Sequence, residues 1–176
     1  MAGTFYKNIM KAAILCAGKG TRLGFKKTPK CMAKINGKPI LEHIVDHLNN
    51  YGITEIIVNL HIKPNKVMDY FGTRLLYSFE PEPLGVEKTI LSLHRWLGDR
   101  FFVINGDTIT NVNLYQMMRF YPSCRYIGNT GRFAGTEIVH FNSTPKDYVE
   151  EDAYYFDCGT PKKLAKARRF FKNGKL

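Results

Sequence analysis

Glycines and cations alternate between positions 18 and 30 in a way suited to holding phosphate. Gly18 and Gly20 flank Lys19, Thr21 and Arg22 follow, and Lys26, Lys27 and Lys30 come within the next eight residues. Glycine puts no Cβ in the way and can take positive φ, so consecutive backbone N–H groups can converge on an anion. Arg22 offers a planar fork of donors matched to phosphate oxygens, and the lysines offer mobile point charges. The apolar run Ala13 to Cys16 empties into this stretch without a polar interruption, as a buried strand feeding a loop would. Neither common phosphate loop is present. Walker A requires Gly-Lys-Ser/Thr after four spacer residues, and a dinucleotide fingerprint requires a third glycine where Arg22-Leu23 stand.

What the stretch from Ala13 to Pro39 resembles is the signature of the sugar nucleotidyltransferases, which join a nucleoside triphosphate to a sugar 1-phosphate. Gly18, Gly20, Thr21, Arg22, Leu23, Pro29, Lys30, Gly37, Lys38 and Pro39 match that spaced pattern in order. The resemblance implies nucleotide contacts at Leu15, Ala17, Gly18, Gly20 and Thr21. It also implies two catalytic cations, Arg22 on the leaving pyrophosphate and Lys30 between the α-phosphate and the acceptor.

Three later motifs extend it. Glu80-Pro81-Glu82-Pro83-Leu84-Gly85 resembles a base-reading loop, with Glu80 five residues before Gly85. A carboxylate only accepts hydrogen bonds, so it suits the N–H donors of guanine and favours GTP. Val103 to Asp107 resembles the metal-binding Gly-Asp motif, with Gly106 beside the nucleotide and Asp107 a ligand of Mg²⁺. Asp157-Cys158-Gly159-Thr160-Pro161 resembles the motif that supplies the second metal ligand, Asp157. One departure stands out. Only 49 residues separate Asp107 from Asp157, and no Glu-Lys-Pro segment, whose lysine would hold the sugar phosphate, lies among them. A reduced or rebuilt acceptor region over about 122–152 is therefore expected.

These motifs need strands that end together. Helical spacing of Ile40, Leu41, Ile44, Val45, Leu48 and Tyr51, with Gly52 beyond, predicts a helix. Strands are predicted over Glu55–Leu60, Leu75–Phe79 and Phe101–Asn105, and helices over Pro64–Phe71 and Val86–Leu97. Leu114, Met117, Met118 and Tyr121 mark a further helix, with the methionines in the core. Tyr126–Gly128 and Glu137–Phe141 are weaker strand candidates joined by a glycine-rich segment, and Thr160 caps a helix that opens on Pro161 and runs to about Phe171. Alternating strands and helices specify α/β architecture: a Rossmann-like three-layer sandwich with a mostly parallel sheet, the nucleotide-diphospho-sugar transferase type that the resemblance implies. Ligands in such sheets lie beyond the carboxyl ends of the strands, where all the motifs fall.

Composition narrows the alternatives. At 176 residues with 44% hydrophobic content the chain reads as one globular domain, 1–176. It carries no apolar run of membrane-span length and no secretory h-region, so a cytoplasmic protein without a membrane partner is expected. Cys16, Cys31, Cys124 and Cys158 form no C-x-x-C pair and read as reduced thiols. His43 and His47 lack the H-E-x-x-H order, and a solvated helix face is expected there. The net charge of +11 concentrates in seven basic residues from Lys19 to Lys38 and seven from Lys162 to Lys175. The first group fits an NTP with a sugar 1-phosphate, and nucleic acid is not the expected partner.

The expected activity is therefore condensation of an NTP with a sugar 1-phosphate, with Mg²⁺ as cofactor; the motifs are closest to those of mannose- and heptose-1-phosphate guanylyltransferases. A cytidylyltransferase for a small phosphorylated alcohol such as phosphocholine, and a non-catalytic nucleotide-binding homologue, remain as alternatives. Assembly into a homo-oligomer is left open.

Overall fold

The computed structural model describes residues 10–18, 28–128 and 130–172. Strand β1 (Lys11–Leu15) lies near the centre of the sheet, between β4 (Ile56–Leu60) and β6 (Arg100–Asn105), and pairs with both in parallel. β5 (Leu76–Phe79) adds to β4 in parallel at one edge. On the other side β9 (Phe133–His140) runs antiparallel to β6, followed by β8 (Cys124–Ile127) and β10 (Lys146–Val149), giving the order β10-β8-β9-β6-β1-β4-β5. The chain moves outward from β1 through β4 and β5 and then returns to β6 on the opposite flank of β1. That reversal makes a crevice at the carboxyl ends of β1 and β6.

Both faces of the sheet are covered because the central strands are apolar on both. In β1, Ala12 and Ile14 belong to one buried cluster and Ala13 to another. The larger cluster takes in α1 (Ile40–Asn50), α2 (Asn65–Phe71), α4 (Leu114–Phe120) and α5 (Pro161–Lys172); the smaller packs α3 (Val86–Leu97) through Ile90, Leu93 and Leu97. Ile40, Leu41 and Leu48 of α1 are fully buried, and each contributes about 1.5–3 kcal/mol by leaving water. This is the three-layer sandwich expected, with its helices at the predicted positions.

The late region differs from expectation. β9 starts at Phe133, so the glycine-rich joint is shorter than read, and β8 covers Cys124–Ile127 rather than Tyr126–Gly128. β10 and the short strand β7 (Thr108–Thr110) were not anticipated, being too short to show a period; nor was the pair β2 (Lys34–Ile35) and β3 (Lys38–Pro39). Residues 124–149 thus complete the main sheet. His43 and His47 do not lie on a solvated face. Each is half-buried with Nε2 on a backbone carbonyl, of Ile35 at 3.0 Å and of Val112 at 3.1 Å. A carbonyl only accepts, so Nε2 carries the hydrogen in both, and burial holds His47 below its ordinary value.

Candidate active site

Two cavities meet at the carboxyl end of β6. The first, about 430 Å³, is walled by the residues leaving β1 (Leu15 to Gly18), by Asn59 of β4, by the loop after β5 with the first turn of α3, and by Lys30 and Asn105 to Asp107. Leu15, Ala17, Gly18, Glu80, Gly85, Gly106, Asp107 and Lys30, all singled out in the sequence, share this one space. Gly20, Thr21 and Arg22 lie outside the described residues. The second cavity, about 660 Å³, is bounded by Asn105 to Thr108, by the turn between β8 and β9, and by β11 (Tyr155–Asp157) with Lys163 and Lys166 of α5. Asn105 and Asp107 belong to both walls and form the boundary.

The two aspartates arrive from different elements and are brought together by a small ladder. Asp107 sits in the turn between β6 and β7, and β7 pairs antiparallel with β11, placing Asp157 opposite Thr108. The Cys158 N–H then donates to the Asp107 carbonyl at 2.7 Å, locking the two turns. Behind them, Tyr154 and Phe156 pack on Phe170 and Phe171 of α5 with ring centroids 4.8 to 5.8 Å apart. Such pairs contribute about 0.5–1.5 kcal/mol each beyond their buried area and fix β11 against the helix. Thr160 accepts from the Lys163 N–H, capping α5 as predicted.

Gly159 marks the point of convergence. A Cβ there would lie 2.8 Å from Asp157 Oδ1, 3.0 Å from Lys30 Nζ and 3.2 Å from Asp107 Oδ2. Both carboxylates and the lysine therefore border one point, and any side chain at 159 would displace them. Lys30, opening a 3₁₀ turn at Lys30–Met32, is ion-paired with Asp107, and Lys163 is ion-paired with Asp157. Burial works to raise the Asp157 pKa, but donation from Lys163 and from the Gly159 N–H, with the charges of Lys163 and Lys30, holds it below the usual carboxylate value. The same two aspartates, after burial itself, push the Cys158 thiol up to about 12.

The opposite wall of the first cavity rests on residues that sequence reasoning missed. Glu80 is buried, with its carboxylate accepting from the Asn59 amide at 2.9 Å, the Leu84 N–H at 3.0 Å and the Thr89 hydroxyl. Three donors leave one of roughly four lone-pair positions, so Glu80 shapes the loop and has room for at most one donor from a base. Burial acts to raise its pKa, and the three donors with His61 outweigh it, leaving it lowered. Asn59 Oδ1 in turn accepts from the Cys16 N–H at 2.7 Å, tying the end of β1 to that loop. The signal for Asn59 was a polar residue inside the otherwise apolar run Glu55–Leu60. Gly85, at φ +85°, turns the loop into α3 as only glycine does readily.

Two glycines differ from their sequence rationale. Gly18 is not among the positive-φ residues, and among the described residues nothing would lie within 4 Å of a Cβ there, so neither strain nor crowding by those residues explains it. Gly106 is crowded by the chain itself, since a Cβ would lie 2.3 Å from Cys16 Sγ and 2.8 Å from the Leu15 carbonyl oxygen. The Cys16 thiol is pushed well up by its hydrogen bond with the Cys31 thiol and by burial, a contact that the distant positions in sequence concealed.

Residues 12–120, more than half of the chain, match the family described as the MobA-like NTP transferase domain. The chain belongs to that family. Among curated relatives, a D-glycero-alpha-D-manno-heptose 1-phosphate guanylyltransferase of Campylobacter jejuni is 39% identical over 115 residues, covering 61% of this chain and 52% of that protein. The chain spans about half the length, or less, of the curated relatives it matches. Among solved structures, HddC of Yersinia pseudotuberculosis complexed with GMP-PN superposes with a TM-score of 0.75 at 24% identity, over 92% of this chain and 99% of that one. UDP-glucose pyrophosphorylase of Acinetobacter baumanii gives 0.76 at 17% identity, over 96% and 95%. At those identities the likeness establishes the fold alone.

Proposed function

We propose that this domain transfers a nucleotidyl group from an NTP to a sugar 1-phosphate, releasing pyrophosphate. The observation that carries the reading is the meeting of Lys30, Asp107 and Asp157 at Gly159, on the boundary between two adjoining cavities. A phosphoryl oxygen of the acceptor is already anionic and needs no general base, so the protein's task is alignment and charge neutralisation at the α-phosphorus. The first cavity takes the nucleoside, with the loop that Glu80 orders beside the base. Lys30 spans the α-phosphate and the incoming oxygen. Arg22 and the basic stretch before Lys30 steady the leaving pyrophosphate.

The residues fit Mg²⁺. Two hard oxygen donors border one point, and Asp157 is held ionised. Among the described residues no cluster of three ligating side chains occurs, so the remaining ligands would have to come from outside this set. Asp107 and Asp157 would hold the ion, which would supply positive charge for the α-phosphate. GTP is the favoured nucleotide, by the acidic base loop and by the guanylyltransferase relative. No described helix is long and apolar enough to cross a membrane, and the proposed setting is the cytoplasm.

The test is pyrophosphate release from each of four NTPs against a panel of sugar 1-phosphates and phosphocholine. GTP with a hexose or heptose 1-phosphate should turn over. Lys30→Ala, Asp107→Ala and Arg22→Ala should each lose about 3 kcal/mol or more of transition-state stabilisation. Full activity in all three would overturn the assignment.

A further inference from the structure

The second cavity carries three cations that no step above uses: Lys163 and Lys166 on α5, and Arg132 in the turn leading to β9. Lys163 and Lys166 are three apart on a helix and so project from one face. Lys162 and Lys163 also sit in the first turn of α5, where no acidic residue accompanies them. Positive charge opposes the dipole at that end, so helix stability does not account for them. The same cavity is lined by Thr108, Thr130 and Tyr155, whose hydroxyls suit a polyol, the last two bonded to each other at 2.7 Å. Gly128 leaves room for the Tyr155 ring, since a Cβ there would lie 2.1 Å from it.

We propose that Lys163, Lys166 and Arg132 bind the phosphate of the acceptor substrate in this cavity, taking the place of the absent Glu-Lys-Pro lysine. The inference rests on the nucleotidyltransferase reading for its substrate class and on the cavity for its location. Asp107 forms part of both walls, so an anion held by these cations lies next to the site of transfer. Lys163 now neutralises Asp157; on binding, its ammonium group passes to the phosphate and uncovers that carboxylate. Arg132 adds a planar pair of donors from the turn leading to β9.

Isothermal titration with mannose 1-phosphate and with free mannose tests this without turnover. Wild-type protein should bind the phosphate ester. Lys163→Gln, Lys166→Gln and Arg132→Gln should each weaken it about tenfold or more, as expected for loss of a charge-assisted contact. A non-hydrolysable GTP analogue should bind the Lys166→Gln and Arg132→Gln variants as it binds wild type, with matching melting temperatures; Lys163→Gln, which also removes the counter-charge of Asp157, is read on ester affinity alone. Lys162→Gln, on the same helical turn and outside the cavity wall, serves as the control and should bind mannose 1-phosphate normally. Unchanged ester affinity in the three variants overturns the inference, as does failure of the wild type to bind the ester, or equal lysine dependence for free mannose. If the ester binds through these cations but no NTP releases pyrophosphate, the inference stands and the transfer reading falls.

Discussion

Gly159→Ala tests the convergence of charges with the smallest perturbation available. An ordinary Cβ contact begins near 3.4 Å, and the added methyl would stand 2.8 Å from Asp157 Oδ1, so that oxygen must retreat by about 0.6 Å. Lys30 Nζ must move by about 0.4 Å and Asp107 Oδ2 by about 0.2 Å on the same measure. The Asp157 oxygen is also the acceptor of the Gly159 N–H at 2.7 Å, so its retreat lengthens that bond. The backbone imposes no penalty of its own, because Gly159 is not among the positive-φ residues. A misplacement of 1 Å in an aligned site costs about 10²-fold, so kcat should fall about 10- to 100-fold. Stability should stay within about 1 kcal/mol of wild type, since alanine restricts the unfolded chain more than glycine does. Steady-state pyrophosphate release with calorimetric melting measures both quantities. A variant with wild-type kcat and an unchanged melting temperature would refute the claim that these three groups act together.

The remaining predictions follow from single contacts. Gly18→Ala meets nothing within 4 Å among the described residues, so it should fold normally; if the nucleotide passes against that backbone, its KM rises about tenfold, while an unchanged KM removes Gly18 from the site. Glu80→Ala strands the buried amide of Asn59 and hydroxyl of Thr89 and should cost about 3 kcal/mol, lowering Tm by about 6–12 °C. Because the folded Glu80 pKa lies below 4.5, its contribution is complete above that pH and is lost as pH falls through the folded value; Glu80→Gln should flatten the acid limb of Tm against pH. His47, held below 6.5, stabilises the fold above that pH and loses the contribution as pH falls through its folded value, so His47→Gln should reduce the drop in urea midpoint between neutral and mildly acidic pH.

What the sequence made legible was whatever depends on local order. The helix from Val86 to Leu97 and the capped start of α5 follow from periodicity and end signals within about a dozen residues and stand where read, and the first strand, read over Ala13 to Cys16, spans Lys11–Leu15. The partners of charged groups were not legible, because pairing is decided by the sheet order. Lys30 and Asp107 are 77 positions apart, and nothing in either neighbourhood names the other. Glu80 was assigned to a base by its spacing from Gly85, yet burial against Asn59 and Thr89 determines what its oxygens reach first. His43 and His47 looked solvated because the carbonyls that accept their hydrogen bonds belong to β2 and to the segment before α4. The second cavity was invisible for the same reason, since its walls come from four separated stretches brought together by the β6–β9 and β7–β11 pairings.

Two carboxylates bordering one glycine would repel each other, and each has a lysine that offsets the repulsion. The four charges cancel, so this cluster of described side chains is balanced in itself, within a chain of net charge +11. The proposed metal ion is then not required to hold the aspartates together, and its binding would exchange their partners. The two pairs are unequal. Lys30 and Asp107 are 23% and 22% exposed, against 53% and 41% for Lys163 and Asp157, so solvent screens the outer pair more and that pair parts first. Chelation by EDTA should accordingly leave Tm unchanged while abolishing pyrophosphate release, and restoring Mg²⁺ should restore it. Should EDTA lower Tm by several degrees, the lysines are not sufficient counter-charges and the metal is a structural member of the site.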